Sequence, residues 1–206
     1  SDSNFVARLL EHEGIYWYFE HTDSAHKLVV VDSQSAHEAV PGYESLPFFD
    51  NTASVPPDTE YVSNWRFSRE VKTGQVVTTS YDFERPSTSL KVDKKKQRSH
   101  ELSDYEQFDF QGDYTQADDG THWADNRVDE VQSRFELLRG SSNAQGLCCG
   151  HLLKLERHPR EDQNAKYLVT ATTIHAHQPT GEADSGDHDY RCDFSAIPSA
   201  QQYRPP

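Results

Sequence analysis

Apolar and polar side chains alternate most clearly between residues 146 and 177, where the pattern predicts two strands. Leu153 and Leu155 alternate with charged residues, and residues 167–177 show the same period of two, which is typical of a strand with one buried face. The connection between the two runs opens with Pro159 and is otherwise polar, and a proline ends a strand because it has no amide hydrogen to donate. The pattern therefore predicts a β-hairpin.

A first helix is predicted over residues 1–13, with Asp2 or Ser3 as its N-terminal cap and Gly14 as its terminator. A strand pair is predicted directly after it, within residues 15–31. An amphipathic helix beside a small sheet normally covers one face of that sheet. We therefore expect this helix to pack on the strand pair. Its apolar side chains are Phe5, Val6, Leu9 and Leu10, and Phe5, Leu9 and Leu10 are the ones expected to be buried.

A second helix is predicted over residues 121–139, with Asp119 or Thr121 as the N-terminal cap and Gly140 just past its end. We expect it to lie across a sheet face or the mouth of a barrel. The apolar residues at helical spacing are Trp123, Val128, Val131, Phe135 and Leu138.

The remaining pattern is mostly that of strands, so the predicted fold class is mainly β with two helices (α+β). The domain prediction has two parts. Residues 1–57 form a helix-plus-β-hairpin bracing subdomain and a proline-rich linker, and residues 58–206 form a β-barrel interrupted by an excursion near residues 87–120. A turn at residues 72–74 is expected to return the chain from one strand to the next. Further strands are predicted over residues 15–20, 27–32, 60–70, 76–83, 102–110 and 190–197.

The charge balance argues against several kinds of partner. The 206 residues carry a formal net charge of −14, which repels phosphate backbones and anionic membrane surfaces. No apolar run approaches the ~20 residues that span a bilayer. The one basic cluster, Lys94–Arg98, is expected to pair with the acidic stretch Glu101–Asp119. We therefore predict no nucleic-acid partner and no membrane insertion. The sequence has no Met, which we interpret as a piece cut from a longer protein.

Histidines offer one candidate metal site. His175 and His177 are two residues apart on a predicted strand, so their imidazoles share a face, and His151 and His158 come from the partner strand. No carboxylate or cysteine pattern completes the set, and a polar strand edge is the simpler interpretation. A metal-dependent or carbohydrate-active hydrolase that uses these histidines and nearby acids remains the alternative hypothesis.

Cysteines give no stronger signal. Cys148 and Cys149 are adjacent and point to opposite faces of a strand, so one ion cannot easily bind both, and we expect two half-buried side chains. Together with Cys192 they show no disulfide-framework spacing. The residues therefore favour free thiols.

Catalytic motifs are incomplete wherever they begin. His12-Glu13, His37-Glu38 and His100-Glu101 each open a zinc-protease pattern, but none has a second histidine three residues after the glutamate. No nucleophile elbow, phosphate loop or dinucleotide fingerprint is present. The sequence predicts no enzyme, and it names no catalytic, cofactor-binding or metal-binding residue and no cofactor.

Four blocks, in order, carry a resemblance to a known family. In the hairpin region Gly150 is followed by His158-Pro159-Arg160, Asn164, Tyr167-Leu-Val-Thr170 and His175. The other three blocks are Ser3–His21, Thr79–Pro86, and Tyr190–Pro198 followed by Tyr203–Pro206. Together they resemble the hub region of VgrG, the type VI secretion spike proteins, which are similar to the baseplate hubs of contractile-tailed phages. Cys148-Cys149 stand where that family is expected to have small or proline-like residues.

The resemblance implies a structural role. Each chain of the family contributes two like barrels, so a homotrimer forms a pseudo-sixfold ring that matches a hexameric secretion tube and carries the puncturing needle. This chain would hold the second barrel and its bracing parts, with Tyr203–Pro206 as a stiff linker. The implied location is the bacterial cytoplasm during assembly, followed by export through contractile injection. In such a trimer, Lys94–Arg98 and Arg157–Arg160 are expected to contact acidic loops of neighbouring copies.

Overall fold

The computed structural model describes residues 1–110, 114–177 and 189–205. These residues form two helices and eleven strands in three sheets, which confirms the α+β, mainly β prediction. The helices are α1 (Asp2–His12) and α2 (Ala117–Ser133). The strands are β1 (Tyr16–His21), β2 (His26–Val31), β3 (Ser45–Pro47), β4 (Val62–Arg69), β5 (Gln75–Thr79), β6 (Val92–Lys95), β7 (Glu106–Phe110), β8 (Glu136–Ser142), β9 (Leu152–Glu156), β10 (Lys166–His177) and β11 (Asp189–Pro198).

The largest sheet has six strands in the order β3-β9-β10-β11-β8-β4 and curls into a half-barrel. The predicted hairpin is confirmed, because β9 and β10 are antiparallel with Leu153 opposite Tyr167. An isolated parallel bridge between Phe48 and Val62 joins the two edges of the sheet at one end. The inner face forms the main core, which includes Leu138, Leu153, Leu155, Tyr167 and Phe194.

A hydrogen bond between the indole of Trp65 and the side-chain amide of Gln163 lies inside this core. The Trp65 Nε1–H donates to Oε1 of Gln163 at 2.9 Å, so the buried amide has a partner. A β-bulge between Ser63 and Arg66, with Asn64 at φ 52°, shifts the pairing of β4 with β8 at this point. Such a bulge changes which side chains face inward, and Trp65 lies in the core while Arg66 is exposed.

The first helix does not pack as predicted. Its N-terminal cap is Ser1, without a side-chain hydrogen bond, and none of its residues is buried. Phe5 and Leu9 are more than half exposed, so the expected burial of this face is wrong. The strand pair β1-β2 instead turns its tyrosine face toward the base of the half-barrel, which leaves α1 to contact α2, where the His12 and Trp123 ring centroids are 4.6 Å apart.

The second helix starts and ends earlier than predicted. It covers Ala117–Ser133 with Gln116 as its N-terminal cap, and Leu138 belongs to β8, where it pairs with Phe67 and Ala196. The apolar residues of this strand also fit the spacing of a helix, and the predicted helix was therefore too long at its C-terminal end. Gly140 does not terminate a helix: it lies in β8 against the ring of Phe194, 2.8 Å from where a Cβ would stand.

The chain between residues 75 and 110 forms a separate sheet in the order β6-β5-β7. The expected hairpin between β4 and β5 is therefore wrong, because β4 pairs with β8 and β5 pairs with β6 and β7. Helix α2 packs on this small sheet through ion pairs of Lys94 with Asp125 at 2.9 Å and Lys96 with Asp129 at 2.5 Å. The basic cluster thus pairs with α2, and among the described residues no ion pair joins it to the stretch 101–119 as predicted.

Candidate functional site

The histidines singled out as metal ligands lie apart. His151 is hydrogen-bonded through its carbonyl oxygen to the amide of Val169, and His175 lies six residues further along β10, about 20 Å away at the rise of a strand. His158 lies past the opposite end of β9, with its ring 4.6 Å from that of Phe48. His177 is at the end of β10 opposite Asp189. Over the residues described, no three His, Cys, Asp or Glu side chains are grouped to hold a metal ion.

A histidine and a carboxylate lie close together on the surface of the six-stranded sheet. Nε2 of His175 lies 3.6 Å from Oδ2 of Asp193, and that carboxylate also accepts from Ser141 at 2.6 Å and Arg191 at 2.8 Å. These contacts lower the pKa of Asp193, with the Ser141 hydrogen bond as the largest cause. An anionic carboxylate held by three partners on an open sheet face stabilises that face, and Asp193 lines a shallow pocket there together with Arg66 and Arg139.

The three cysteines are free thiols. Cys148 is exposed, contrary to the half-buried expectation, and Cys149 is half-buried with its Sγ donating to the carbonyl of Thr170 at 3.1 Å. Burial raises the pKa of the Cys192 thiol to about 11 and also raises that of Cys149. The thiolate is the form that binds metals and attacks substrates, so these two side chains are packing groups.

One buried histidine joins three parts of the chain. Nδ1–H of His37 donates to the carbonyl oxygen of Gly150 at 2.7 Å, so its Nε2 accepts from the Tyr16 hydroxyl, also at 2.7 Å. Burial lowers the pKa of His37 and raises that of Tyr16 to about 12. The neutral pair ties β1 to the turn before β9. The sequence showed His37 only as half of an incomplete protease motif.

The last described residues tie the same region to α2. Arg204 donates to the carbonyl oxygens of Gly14 and of Asp32, the latter at 2.7 Å. Gln201 donates through Nε2 to the carbonyl of Ser133 at 2.6 Å. Up to residue 205 this segment is therefore held by hydrogen bonds between α1, β2 and α2 and is not a free linker, while Pro206 lies outside the described residues.

Among the described residues, several groups of large apolar side chains are exposed, and three of these groups lie on helices or strands. We call these the helix face of α1, the hairpin face of β1 and β2, and the strand face of β7. Large exposed apolar side chains in groups mark interaction sites more often than isolated ones do. The helix face comprises Phe5, Val6 and Leu9; the hairpin face comprises Trp17, Phe19, Leu28 and Val30; and the strand face comprises Phe108 and Phe110.

The basic groups, in contrast, are largely used within the chain. Lys94 and Lys96 pair with α2, and Arg98 donates to Oε1 of Gln132 at 2.8 Å. Arg160 binds Asp162 at 3.1 and 2.6 Å and lies over the ring of Phe67. The expected contacts of either cluster with an acidic loop of another copy stay a prediction. No helix among the described residues is long and apolar enough to cross a membrane.

The described residues thus define a β-rich half-barrel with a buried histidine at position 37, two packed thiols and exposed apolar faces. Residues 1–180 match the family described as phage tail baseplate hub (GPD). The chain belongs to that family, as the four sequence blocks predicted.

Relatives of known description agree with this assignment. The chain is 38% identical over 204 residues to the type VI secretion system spike protein VgrG1b of Pseudomonas aeruginosa. The match covers 98% of this chain and 27% of that protein. It spans 27–31% of the length of three such spike proteins.

Solved structures show the same fold. The E. coli c3393 protein, a component of the type VI secretion system with structural similarity to the T4 bacteriophage tail proteins gp27 and gp5, matches with a TM-score of 0.60 at 20% identity. This match covers 100% of this chain and 40% of that one. A 43 kDa tail protein of prophage MuSo2 from Shewanella oneidensis matches with a TM-score of 0.64 at 13% identity, over 98% of this chain and 56% of that one.

Proposed function

We propose that this chain is a structural hub segment of a type VI secretion spike. In this function it forms part of a homotrimeric ring that joins the hexameric tube to the puncturing needle. The observation that carries the proposal is the 38% identity to a type VI spike protein along 98% of the chain, which spans both the half-barrel and the parts that brace it. The implied location is the bacterial cytoplasm during assembly and then, after contractile injection, the outside or a target cell.

The internal bonding suits a part that transmits load. His37 links β1 to the turn at Gly150, and Arg204 links α1, β2 and α2. Buried and partly buried hydrogen bonds of this kind fix the relative positions of elements because breaking one leaves an unpaired polar group. We further propose that residues 1–57 act as the bracing subdomain and residues 58–206 as the interrupted barrel.

We propose no catalytic, metal-binding or cofactor-binding residue for this segment. The hydrolase alternative needs a metal or a pair of acids beside His175 and His177. Plasma mass spectrometry of the dialysed protein tests it: we expect no stoichiometric zinc or nickel. His175→Ala and His177→Ala should leave secretion unchanged, and a bound metal lost in these variants together with loss of secretion would support the hydrolase.

The hub function is tested by exchange into a relative. Residues 1–206 replace the matching 204 residues of VgrG1b in Pseudomonas aeruginosa, and secretion of the chimaera and of its tube protein is measured by immunoblot. We expect secretion at a level close to that of VgrG1b. A matched chimaera with Leu153→Asp, which places a charge in the core, should abolish it. A chimaera that folds and forms no trimer and is not secreted would contradict the proposal.

A further inference from the structure

The hairpin face is unusual because the opposite face of the same two strands is already buried. Trp17 lies opposite Val30 and Phe19 opposite Leu28, so these four side chains form two adjacent cross-strand pairs on one face. Tyr16, Tyr18 and Val31 occupy the other face and pack into a small core. A two-stranded sheet usually has one apolar and one solvated face. Here both faces are apolar, and one of them has no cover in the single chain.

The strand face is the second bare surface, and it belongs to a different sheet. Phe108 is paired with Val77 and Phe110 with Thr79, and by strand alternation these residues point away from Val76, Thr78 and α2. Both phenylalanine side chains are 58–60% exposed. Because the two faces are bare in the same copy, neither of them covers the other within one chain.

Charge indicates what kind of partner fits. A chain with a net charge of −14 repels its own copies, so a self-contact needs surfaces with few carboxylates. The four side chains of the hairpin face are uncharged. On β7 the alternation turns Asp109 toward the other side of the sheet, whereas Glu106 shares the side of Phe108 and lies in one row with Lys95 of β6, next to Asp93. Uncharged aromatic surface of this kind is what the buried centre of a protein–protein contact contains.

Two different apolar faces on one molecule match the requirement of a closed ring. A threefold ring needs heterologous contacts, in which one surface of each copy meets a different surface of the next. Together the two faces offer on the order of 650 Å² of apolar surface per contact, judged from the usual areas of such side chains. That is close to the apolar share of a small specific interface of about 1,200 Å².

We propose that the hairpin face of one copy docks on the strand face of the next copy and that this contact repeats around the threefold axis. The inference deepens the hub function and rests on it, since it names the surfaces through which the copies associate. The contact is small, so the 206-residue chain associates weakly through it. The secretion of the VgrG1b chimaera tests the hub function separately from this contact.

Sedimentation velocity of the 206-residue chain at high salt measures the contact. The hairpin variant carries Phe19→Thr and Leu28→Thr, and the strand variant carries Phe108→Thr and Phe110→Thr; threonine keeps the strand preference. Each variant should weaken self-association by about tenfold or more, because each removes buried apolar area. The matched control is Ile174→Thr, which changes a side chain of equal exposure on β10 and should leave association unchanged.

Mixing the two variants distinguishes this contact from other arrangements. Each variant alone should remain monomeric. In a mixture, the intact hairpin face of the strand variant should bind the intact strand face of the hairpin variant. The complex should stop at 1:1, because no further intact face is available. A strand variant that dimerises alone would show that hairpin faces pair with each other and would overturn the proposal. Wild-type protein that stays monomeric at high salt, or variants that associate like wild type, would also overturn it while leaving the hub function standing.

A second measurement keeps the test valid if a variant folds poorly. Hydrogen exchange of the wild-type chain is compared at low and high protein concentration. The amides of β1, β2 and β7 should become more protected at high concentration, and those of β10 around Ile174 should not. Protection that rises only elsewhere, or nowhere, would count against the two faces.

Discussion

The Tyr16 hydroxyl donates to Nε2 of His37 at 2.7 Å, and both groups are buried. The other ring nitrogen donates to Gly150. Because Nδ1 already carries its proton, a second proton would go to Nε2, which could then no longer accept from the Tyr16 hydroxyl. The hydrogen bond therefore requires a neutral imidazole. The pair therefore makes the packing of β1 sensitive to acid.

Acid should weaken the fold through His37. Burial lowers its pKa from 6.5, so the unfolded chain binds this proton more readily and stability from this group is present above pH 6.5 and lost as pH falls through the lower pKa of the folded state. Chemical denaturation across pH 5–8 should show this loss in the wild-type chain. His37→Gln should be less stable at pH 7 by about 1–3 kcal/mol and should show a flatter acid limb. Equal slopes in both proteins would remove His37 as the cause.

High pH should weaken the fold through Tyr16, the partner of His37. Burial raises the pKa of Tyr16 from 10 to about 12, so the folded state keeps the phenol proton longer, and the stability it contributes is present below pH 10 and lost as pH rises toward 12. Burial raises the pKa of Tyr167 to about 12 as well, so absorbance titration of the phenolate should show at least two tyrosines that titrate late, and Tyr16→Phe should remove one of them. An unchanged number of late tyrosines in Tyr16→Phe would assign the shift to other residues.

Two leucines should respond very differently to truncation. Leu153 is fully buried in the half-barrel, whereas Leu9 on the helix face is 52% exposed. Leu153→Ala should lower the free energy of unfolding by about 2–5 kcal/mol because it leaves a cavity. Leu9→Ala should change it by no more than about 0.5 kcal/mol. Urea unfolding monitored by circular dichroism compares them, and a large cost for Leu9→Ala in dilute protein would mean that α1 is buried after all.

Alanine substitutions at two glycines should distinguish the cost of backbone strain from the cost of a steric clash. Gly150 and Gly42 have φ of +83° and +84°, but only at Gly150 would a Cβ collide, 2.3 Å from the Tyr18 ring. Gly42→Ala should therefore cost about 1–2 kcal/mol, the penalty of left-handed backbone alone. Gly150→Ala should cost about 1–3 kcal/mol more, because Tyr18 must also move. Thermal unfolding measures both, and equal losses would mean that the Tyr18 contact adds nothing.

Salt should promote association of the isolated chain. Copies with a net charge of −14 repel one another, and salt screens this repulsion over about 10 Å at 0.1 M. Light scattering across a salt series should show a monomer or a weak trimer at low salt and more association as salt increases. A stable dimer or tetramer, or a trimer that dissociates when salt is raised, would contradict the proposed hub geometry.

Local pattern alone determined the elements whose signal is short-range. The alternation around Leu153 and Leu155 predicted the β9–β10 hairpin. Both signals, the two-residue period of apolar side chains and the turn that begins with a proline, depend only on neighbouring residues. The four motif blocks likewise predicted the family. The end of α2 was not decided locally, because Leu138 satisfies helical and strand spacing equally and only its pairing with Phe67 and Ala196 makes it a strand residue.

Only the tertiary structure decided which apolar faces are covered. The sequence predicted Phe5 and Leu9 as core residues because they lie on the apolar face of an amphipathic helix. Amphipathicity shows that a face is apolar, but it does not show what packs against that face. Burial depends on where β1 and β2 turn, and that is set by His37 and Gly150, more than a hundred residues apart in the chain. Likewise, Phe108 and Phe110 alternate with acids like any half-buried strand. They are bare because α2 packs on the other face of their sheet, a choice made by long-range contacts that no local pattern records.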